Sequence, residues 1–332
     1  MSAAPKVSVL IPTFNSARFL PEAIESVLAQ DFTDCEILIS DDASTDGSAD
    51  VIRRYAARDA RIRFQLQERN LGMVAHWNWC LGQARGEYVK FLFGDDKLAS
   101  PAALRRQVGQ LDAEPAAVLA VSARIIIDKD SVPVEIWDEL GPAGQKRGTE
   151  MIARCIWRDR NLIGEPSAVM FRRAAGRRGF DPAWRQLVDQ EMWFHLLAQG
   201  DLMYDPEPLC AFRLHGAQQT ARNRDSHVSS AETLLLLARY LERVAAISRL
   251  RPDSLAIRRL LFRSIYYSRK NAQRDSIHSP AIAAAEQQLM DRLTPRWYRL
   301  CLGFHRATKP LVNLERWVGL KPRDQGRRPV PR

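Results

Sequence analysis

Short runs of β-forming residues alternate with stretches of helical apolar spacing from Val7 onward, and this alternation constrains the fold more than any other feature of the chain. The predicted strands are 7–11, 36–40, 61–67 and 88–93. Helical patterns lie between them, and Ser100-Pro101 is a typical helix start. Strands and helices that alternate in this way are joined by right-handed crossovers, so we predict an α/β fold with a mainly parallel sheet flanked by helices.

The chain after about residue 220 has a different pattern, with Ala-, Leu- and Arg-rich helical stretches such as 231–250 and no strand signal. We therefore predict an α/β domain over residues 1–220 and a basic C-terminal α-helical appendage over 221–332. The last ~10 residues are rich in Pro and Arg, a composition typical of disordered segments.

Charge is divided unevenly between these two parts. Residues 1–220 hold 26 Lys and Arg against 30 Asp and Glu, whereas 221–332 hold 23 against 9, which gives the net charge of +10. The basic part either binds an anionic surface such as a membrane or presents a solvated helical face. Aromatic and basic side chains are interleaved in 295–320, which fits helices lying on a membrane surface and also helices whose aromatics pack onto the protein.

No apolar run reaches the roughly 20 residues that cross a bilayer, and Pro12 closes the run 7–11 too early for a signal peptide. These features predict a cytoplasmic protein. The five cysteines are scattered without any C-x-x-C spacing, so we expect reduced thiols rather than disulfides or zinc ligands.

Paired carboxylates follow two of the predicted strands, at the edge where open parallel sheets bind ligands. Asp41-Asp42 follows strand 36–40, and Asp95-Asp96 follows strand 88–93. Adjacent acids repel each other unless a cation offsets their charge, so Asp95-Asp96 predicts Mg²⁺ or Mn²⁺ bound together with substrate phosphates. The alternative for either pair is a turn that caps the next helix.

Other signatures are absent from the sequence, among them the Walker A loop, G-x-G-x-x-G, H-E-x-x-H and G-x-S-x-G. Residues 42–47 begin like a calcium-binding loop, but Arg53 stands where such a loop requires a bidentate Glu. These absences exclude the usual Gly-rich phosphate loops and the common hydrolase sites.

A series of short motifs runs in order through residues 6–216. It consists of VSVLIPTFN at 7–15, IESVLAQ at 24–30, DDASTDGS at 41–48, NLG at 70–72, ARGEY at 84–88, FLFGDD at 91–96, DQEMW at 189–193 and RLHG at 213–216. In this order and spacing the chain resembles glycosyltransferase family 2, whose members share the Rossmann-like GT-A fold. The resemblance implies that residues 6–127 bind a nucleotide-sugar donor and that 128–220 hold the acceptor and the catalytic base.

The resemblance also implies a role for each matching position. The donor nucleotide would be bound by Pro12, Thr13, Phe14, Asn15, Asp41, Asp42, Asn70, Gly72 and Asp95. Asp95 would hold the ribose side, Asp96 would bind the metal that bridges the diphosphate, and His215 would lie near that metal. Phe93 stands where many family members have a further Asp, a departure that bears on metal dependence.

The matching position for the catalytic base is Asp189, with Glu191 as the second candidate. An acceptor hydroxyl loses its proton as it attacks the anomeric carbon, so a carboxylate or imidazole has to lie within hydrogen-bond reach. One base and one displacement imply inversion at that carbon. Both acids also fall near a predicted helix N-terminus, where compensation of the helix dipole is the alternative role. Glu165 is expected on the acceptor side.

Together these inferences predict an inverting, metal-dependent glycosyltransferase with a UDP- or dTDP-linked sugar donor. Its acceptor would be a hydroxyl of a glycan or a lipid-linked molecule in cell-surface polysaccharide or lipopolysaccharide synthesis. We expect the protein in the cytoplasm, with residues 295–332 as a peripheral contact to the cytoplasmic face of the inner membrane.

Two other functions fit the sequence less well. A nucleotidyltransferase normally has a Gly-rich basic loop after its first strand, where this chain has Pro12-Thr13-Phe14-Asn15-Ser16. A nucleic-acid-binding protein would present a recognition module, and none is visible, so no specific nucleic-acid partner is predicted.

Overall fold

The computed structural model describes residues 4–216, 228–247, 254–275, 280–302 and 327–329. The chain divides into two compact units, the first formed by 1–148, 161–216 and 326–332 and the second by 149–160 and 217–325. The predicted boundary near residue 220 falls in 217–227, outside the described residues.

The first unit begins with alternating strands and helices. Its elements are β1 (Val7–Thr13), α1 (Leu20–Leu28), β2 (Cys35–Asp41), α2 (Ser48–Ala56), β3 (Ile62–Leu66), α3 (Met73–Gln83) and β4 (Tyr88–Phe91). β1 pairs in parallel with β2 and β4, and β2 pairs in parallel with β3. All residues of β1, β2 and β4 are buried, as expected for parallel strands covered on both faces, so this part of the fold prediction is confirmed.

The sheet continues into longer and partly antiparallel strands. The elements are β5 (Lys97–Leu98), α4 (Ala103–Ala113), β6 (Ala117–Ile127), β7 (Pro133–Trp137), β8 (Gly144–Lys146), α5 (Gly148–Arg158), β9 (Val169–Arg172), α6 (Val188–Leu197) and β10 (Asp201–Arg213). β6 pairs in parallel with β10 on one edge and antiparallel with β9 and β7 on the other. β9 is also antiparallel to β4, so it joins the two halves of the sheet.

Apolar spacing fixes the helices of the first unit against the sheet. In α1 the side chains of Leu20, Ala23, Ile24 and Val27 are fully buried, which is the one-sided stripe of an amphipathic helix. Its Pro21 lies in the first turn, where the missing N–H costs nothing. With the helices packed in this way, the loops after β1, β2, β3 and β4 meet at the carboxyl edge of the parallel strands.

The second unit is helical. It contains α5 from Thr149 onward, α7 (Val228–Ile247), α8 (Leu255–Asp275), α9 (Pro280–Leu293) and a helical stretch at 295–302. The predicted C-terminal helices are therefore confirmed. None of the helices among the described residues is both long and apolar enough to cross a bilayer.

Two aromatic residues of the basic segment pack inside this second unit. Trp297 lies beneath the guanidinium of Arg258 at 4.3 Å, and the ring of Tyr298 lies 5.4 Å from that of Phe262. Of the two interpretations of the aromatic residues in 295–320, packing onto the protein therefore describes Trp297 and Tyr298. Residues 303–326, which hold most of the remaining predicted membrane segment, lie outside the described residues.

The last strand lies where the composition predicts disorder. β11 (Arg327–Pro329) pairs antiparallel with β7 at the sheet edge. An edge strand offers backbone N–H and C=O groups that pair with any extended segment, whatever its side chains. Such pairing needs no apolar pattern, which is why the sequence carried no signal for it.

Candidate active site

The loops that follow β1 and β2 hold each other in place. Asn15 Oδ1 accepts a hydrogen bond from the Thr45 backbone N–H at 2.9 Å, and the Asn15 N–H donates to Ser44 Oγ at 2.8 Å. Asn15 and Ala43 have positive φ angles of 50° and 59°, which are costly for residues other than Gly. Asn15 therefore shapes the loop, while the neighbouring Phe14 leaves its ring 45% exposed at the carboxyl edge of the sheet.

Pro12, Thr13 and Asp41 are buried at the ends of β1 and β2, where Thr13 and Asp41 are direct neighbours in register. Asp41 Oδ2 accepts from the Ser44 N–H at 2.9 Å. Among the described residues, Asp41 Oδ1 and the Thr13 hydroxyl have no hydrogen-bond partner. Buried polar atoms are rarely left unsatisfied, so a ligand that donates an N–H to Asp41 would complete this corner of the fold.

Asp42 organises the loop after β3. Its Oδ1 accepts from the Leu71 N–H at 2.7 Å and its Oδ2 from the Gly72 N–H at 3.2 Å. The Asn70 side-chain amide donates to the Asp42 carbonyl at 3.1 Å. The structure thus brings the predicted residues Asn70 and Gly72 to Asp42, whose carboxylate is engaged by backbone N–H groups.

Asp95 and His215 face each other across the ends of β4 and β10. Asp95 Oδ2 lies 3.0 Å from His215 Nε2, and the two side chains are 24% and 15% exposed. In the described part of the chain, no group of three or more His, Cys, Asp or Glu side chains is arranged to hold a metal. One carboxylate and one imidazole fit a divalent cation that takes its remaining ligands from substrate phosphates and water.

The Asp96 side chain, unlike that of Asp95, points into the protein interior. It is fully buried, with Oδ2 accepting from the Ser167 hydroxyl at 2.5 Å and Oδ1 accepting from the Arg213 backbone N–H at 2.9 Å. Burial, together with the adjacent charge of Asp95, raises the pKa of Asp96 well above its usual range. Since both oxygens of Asp96 are engaged inside the protein, the geometry favours Asp95 over the predicted Asp96 as the carboxylate that accompanies His215.

The buried guanidinium of Arg213 braces this turn. Its Nε–H donates to the Asp95 carbonyl at 2.7 Å, and Nη1 donates to Ser131 Oγ at 2.7 Å. It also stacks on the ring of Phe19 at 4.6 Å, and that ring lies 5.0 Å from the imidazole of His215. Arg213 thus fixes the turn backbone on one side and the surroundings of His215 on the other.

Asp189 lies in the first turn of α6 and is partly exposed. Its Oδ2 accepts from the Asn161 side-chain amide at 3.1 Å, and its Oδ1 accepts from the Gln190 N–H at 2.7 Å. Partial burial, which removes water from around the carboxylate, and then the negative charge of Glu165 raise the pKa of Asp189 to about 7. A carboxylate with a pKa near neutrality is matched to the work of a general base.

Glu191, the second predicted base, is fully buried in the same helix. Its two oxygens accept from Arg178 at 2.8 and 2.5 Å. An acid held in this two-point ion pair inside the protein is poorly placed to receive a proton from a ligand. Of the two predicted bases, Glu191 is therefore paired inside the protein, whereas Asp189 is partly exposed.

Glu165 interacts electrostatically with both carboxylate sites. Its Oε2 forms an ion pair with Arg124 Nε at 2.6 Å, and its side chain is 24% exposed whereas that of Arg124 is 3% exposed. The negative charge of Glu165 contributes to the raised pKa of Asp96 as well as to that of Asp189. Electrostatic influence on both groups means that Glu165 lies close to each of them.

Sequence reasoning missed four residues that hold these groups, namely Arg124, Asn161, Ser167 and Lys90. Lys90 is fully buried in β4 and donates from Nζ to the Ser167 carbonyl at 2.7 Å, and burial lowers its pKa to about 8. A charged residue within an otherwise apolar strand is a signal that could have found Lys90 and Arg124. Asn161 and Ser167 lie in a segment without a motif, and only the folded chain reveals their partners.

Comparison with known proteins gives a consistent match. The family model described as Glycosyl transferase family 2 matches residues 8–179. The chain is 44% identical over 99 residues to the GalNAc(5)-diNAcBac-PP-undecaprenol beta-1,3-glucosyltransferase of Campylobacter jejuni, which covers 30% of this chain and 32% of that protein. The chain therefore spans about a third of the length of this relative.

Two solved structures are similar over most of the chain. TarS 1–349 of S. aureus in complex with UDP-GlcNAc has a TM-score of 0.58 at 18% identity and covers 87% of this chain and 89% of that one. The mannosyltransferase PcManGT of Pyrobaculum calidifontis in complex with GDP-Man and Mn²⁺ has a TM-score of 0.56 at 17% identity, covering 90% and 83%. At these identities the likeness concerns the fold.

Proposed function

Since the chain belongs to glycosyl transferase family 2 and has the GT-A fold, we propose that it is an inverting enzyme that transfers a sugar from a nucleoside-diphosphate sugar to an acceptor hydroxyl. The observation that supports this most strongly is the Asp189 carboxylate, held by hydrogen bonds and raised in pKa to about 7. It belongs to the same unit as the Asp95–His215 pair.

In the proposed reaction Asp189 accepts the proton of the acceptor hydroxyl as that oxygen bonds to the anomeric carbon. The bond between this carbon and the diphosphate breaks, and its electron pair leaves with the nucleoside diphosphate. One displacement from the opposite face inverts the configuration. A divalent cation, Mg²⁺ or Mn²⁺, held by Asp95 and His215 would stabilise the charge on the leaving diphosphate.

The donor site of the proposal is built from the loops after β1, β2 and β3. The ring of Phe14 offers a surface on which a base can stack, and Asp41 Oδ1 would accept an N–H from that base. The imide N–H of uracil or thymine suits this acceptor, which favours a UDP- or dTDP-linked sugar. Asp42, Asn70 and Gly72 would shape the loop beneath the diphosphate.

The proposed acceptor is a hydroxyl of a glycan or a lipid-linked molecule in cell-surface polysaccharide or lipopolysaccharide synthesis. The name of the Campylobacter jejuni relative, which includes a PP-undecaprenol acceptor, supports this choice. Glu165, partly exposed beside Asp189, is proposed as a contact of that acceptor.

A panel of nucleotide sugars tests the proposal. Thermal unfolding and slow donor hydrolysis are measured for UDP-, dTDP- and GDP-linked sugars, each with Mn²⁺, with Mg²⁺ and with a chelator. We expect a UDP- or dTDP-linked sugar to raise Tm and to be hydrolysed only when a metal is present. If no nucleotide sugar changes Tm or is hydrolysed under any of these conditions, the proposal fails.

Peripheral binding to the cytoplasmic face of the inner membrane through residues 295–332 is a separate part of the proposal, supported by the basic charge of 221–332. Flotation with anionic and neutral liposomes tests it, with a variant truncated after residue 294 as the comparison. Binding that needs anionic lipid and is lost on truncation is expected. Equal flotation of both proteins would contradict it.

A further inference from the structure

The segment 161–167 contacts both halves of the proposed site. At one end the Asn161 side-chain amide donates to Asp189 Oδ2 at 3.1 Å. At the other end the Ser167 hydroxyl donates to Asp96 Oδ2 at 2.5 Å and accepts from the Phe93 N–H at 3.2 Å. Six residues of extended chain span at most about 20 Å, so this short segment limits the separation of the base and the Asp95-Asp96 turn.

A network of hydrogen bonds makes the first part of the segment rigid. Asn161 Oδ1 accepts from the Ile163 and Gly164 N–H groups, both at 3.1 Å. The Gly164 carbonyl accepts from the Trp193 indole N–H at 2.9 Å, and Trp193 is fully buried in the same helix as Asp189. The turn is therefore attached to α6 at two points, one of which is the proposed base itself.

The middle and the end of the segment are fixed by two buried cations. Gly164 has a φ of +108°, and a Cβ there would lie 3.0 Å from Arg124 Nη1, so both the backbone conformation and the Arg124 side chain favour glycine. Glu165 then forms its ion pair with Arg124. The Ser167 carbonyl accepts from the buried ammonium of Lys90.

We infer that the segment 161–167 is a positioning element of the transfer reaction, in which Asn161 orients the Asp189 carboxylate and Ser167 orients the Asp95-Asp96 turn. The inference rests on the proposed function, because it requires Asp189 as the base. The Asn161 side-chain amide donates to Oδ2 of Asp189, and the Gln190 N–H donates to Oδ1. These two donors therefore determine the direction from which the carboxylate can accept the proton of the acceptor hydroxyl. Neither Asn161 nor Ser167 needs to touch substrate to act in this way.

The contact of Asn161 with Asp189 is tested with the variants Asn161→Ala and Asn161→Asp. The first removes the donor to Asp189 and the acceptor of the turn, whereas the second keeps the acceptor oxygen, loses the donor and adds a negative charge beside Asp189. We expect kcat to fall about tenfold or more in both, because a base out of alignment is inefficient. Binding of UDP with Mn²⁺ should stay within about twofold of the wild type, since Asn161 does not contact the donor loops.

The pH profile separates positioning from a merely structural role. The groups that face Asp189 are Glu165, which raises its pKa, and Arg124, which lowers it and also lies near Glu139. A hydrogen bond donated to the ionised carboxylate favours that form, so losing the Asn161 donor raises the pKa of Asp189 further. The acidic limb of the pH profile, where kcat/KM falls as Asp189 is protonated, should move up by about one pH unit in Asn161→Ala and further in Asn161→Asp.

Asn78→Ala is the matched control for the Asn161 variants. Asn78 also makes two hydrogen bonds with backbone groups across the first unit, to the Phe180 carbonyl at 2.8 Å and from the Phe180 N–H at 2.7 Å. It should lose stability without moving the acidic limb.

The contact of Ser167 with Asp96 leads to the opposite prediction, an effect on UDP binding and none on the pH profile. Ser167→Ala removes the donor to Asp96, so the adjacent Asp95 is held less well, and we expect about tenfold weaker Mn²⁺-dependent UDP binding with an unshifted acidic limb. Ser8→Ala is the control, since the Ser8 hydroxyl is also buried and donates to a carboxylate, Glu36, at 2.5 Å, near the opposite end of the parallel strands. Ser8→Ala should leave UDP binding unchanged.

Two outcomes overturn the inference while leaving the proposed function intact. In the first, Asn161→Ala and Asn161→Asp keep the wild-type pH profile although Asp189→Asn is inactive. In the second, Ser167→Ala and Ser8→Ala bind UDP equally. Full transfer activity of Asp189→Asn would instead remove the base assignment on which the inference stands.

Discussion

Replacing Asp189 by Asn is expected to abolish sugar transfer and to stabilise the folded protein more at pH 8 than at pH 5. The carboxyl of Asp189 has a pKa of about 7 in the folded protein against an ordinary value of 3.8, chiefly because the surrounding protein shields it from water and because Glu165 lies near it. Ionising it therefore works against folding. Asn has a similar shape and no proton to lose, so the variant lacks this cost.

The sign and size of the effect follow from proton linkage. Between pH 3.8 and about 7 the folded protein binds the Asp189 proton more tightly than the unfolded chain, so the free energy of unfolding falls as pH rises. From pH 5 to pH 8 this loss amounts to about 2.6 kcal/mol, and partial exposure of the side chain reduces it to about 2 kcal/mol. The hydrogen bond that Asn cannot make is lost at both pH values and cancels in the comparison.

Urea unfolding of the wild type and of Asp189→Asn at pH 5 and pH 8 measures this difference, with transfer assays on the same preparations. Asp59→Asn is the control, because the hydrogen bond from Arg61 lowers the pKa of Asp59 and it stays ionised throughout this range. The control should show no change in relative stability between the two pH values. If the difference in free energy of unfolding between Asp189→Asn and the wild type is the same at pH 5 and pH 8, Asp189 does not carry a raised pKa and the reasoning is refuted.

Four further variants test the remaining contacts. Asp95→Asn and His215→Ala should each weaken Mn²⁺-dependent UDP binding at least tenfold in calorimetry, because each removes one of the two proposed protein ligands of the metal. Glu191→Gln should lower the free energy of unfolding by about 3 kcal/mol in urea, since it leaves a buried ion pair without its anion, and should leave the acidic limb of kcat/KM in place. Gly164→Ala should cost about 1–3 kcal/mol in the same urea experiment and reduce kcat, because its φ of +108° and the nearby Arg124 side chain both oppose a Cβ.

The parallel half of the fold was readable from the sequence for a physical reason. Its strands are covered on both faces, so they appear as short continuous apolar runs, and helical spacing lies between them. The structure confirms β1, β2, β3 and β4 close to the predicted ranges. Residues 128–186 gave no such pattern, because β7 and β8 are short and only partly buried and β9 follows an irregular segment.

The candidate site was only partly accessible to sequence reasoning. Carboxylates that follow a strand are visible locally, which is how the sequence predicted Asp41, Asp42, Asp95 and Asp96 as site residues. The contacts that distinguish one carboxylate from its neighbour join residues far apart in the chain, such as Ser167 and Asp96, 71 positions apart. No local pattern encodes which of two adjacent acids turns inward, so this distinction required the folded chain.

The Asp95-Asp96 pair shows how the fold handles two adjacent charges that repel each other. A bound cation was the expected compensation for both, yet Asp96 is withdrawn into the interior, where Ser167 and the Arg213 backbone satisfy it and its raised pKa favours the neutral form. Only Asp95 is left at the edge of the sheet beside His215. In the proposed function, a cation beside Asp95 and His215 would have a single protein carboxylate to neutralise, so it would retain positive charge for the diphosphate of the donor.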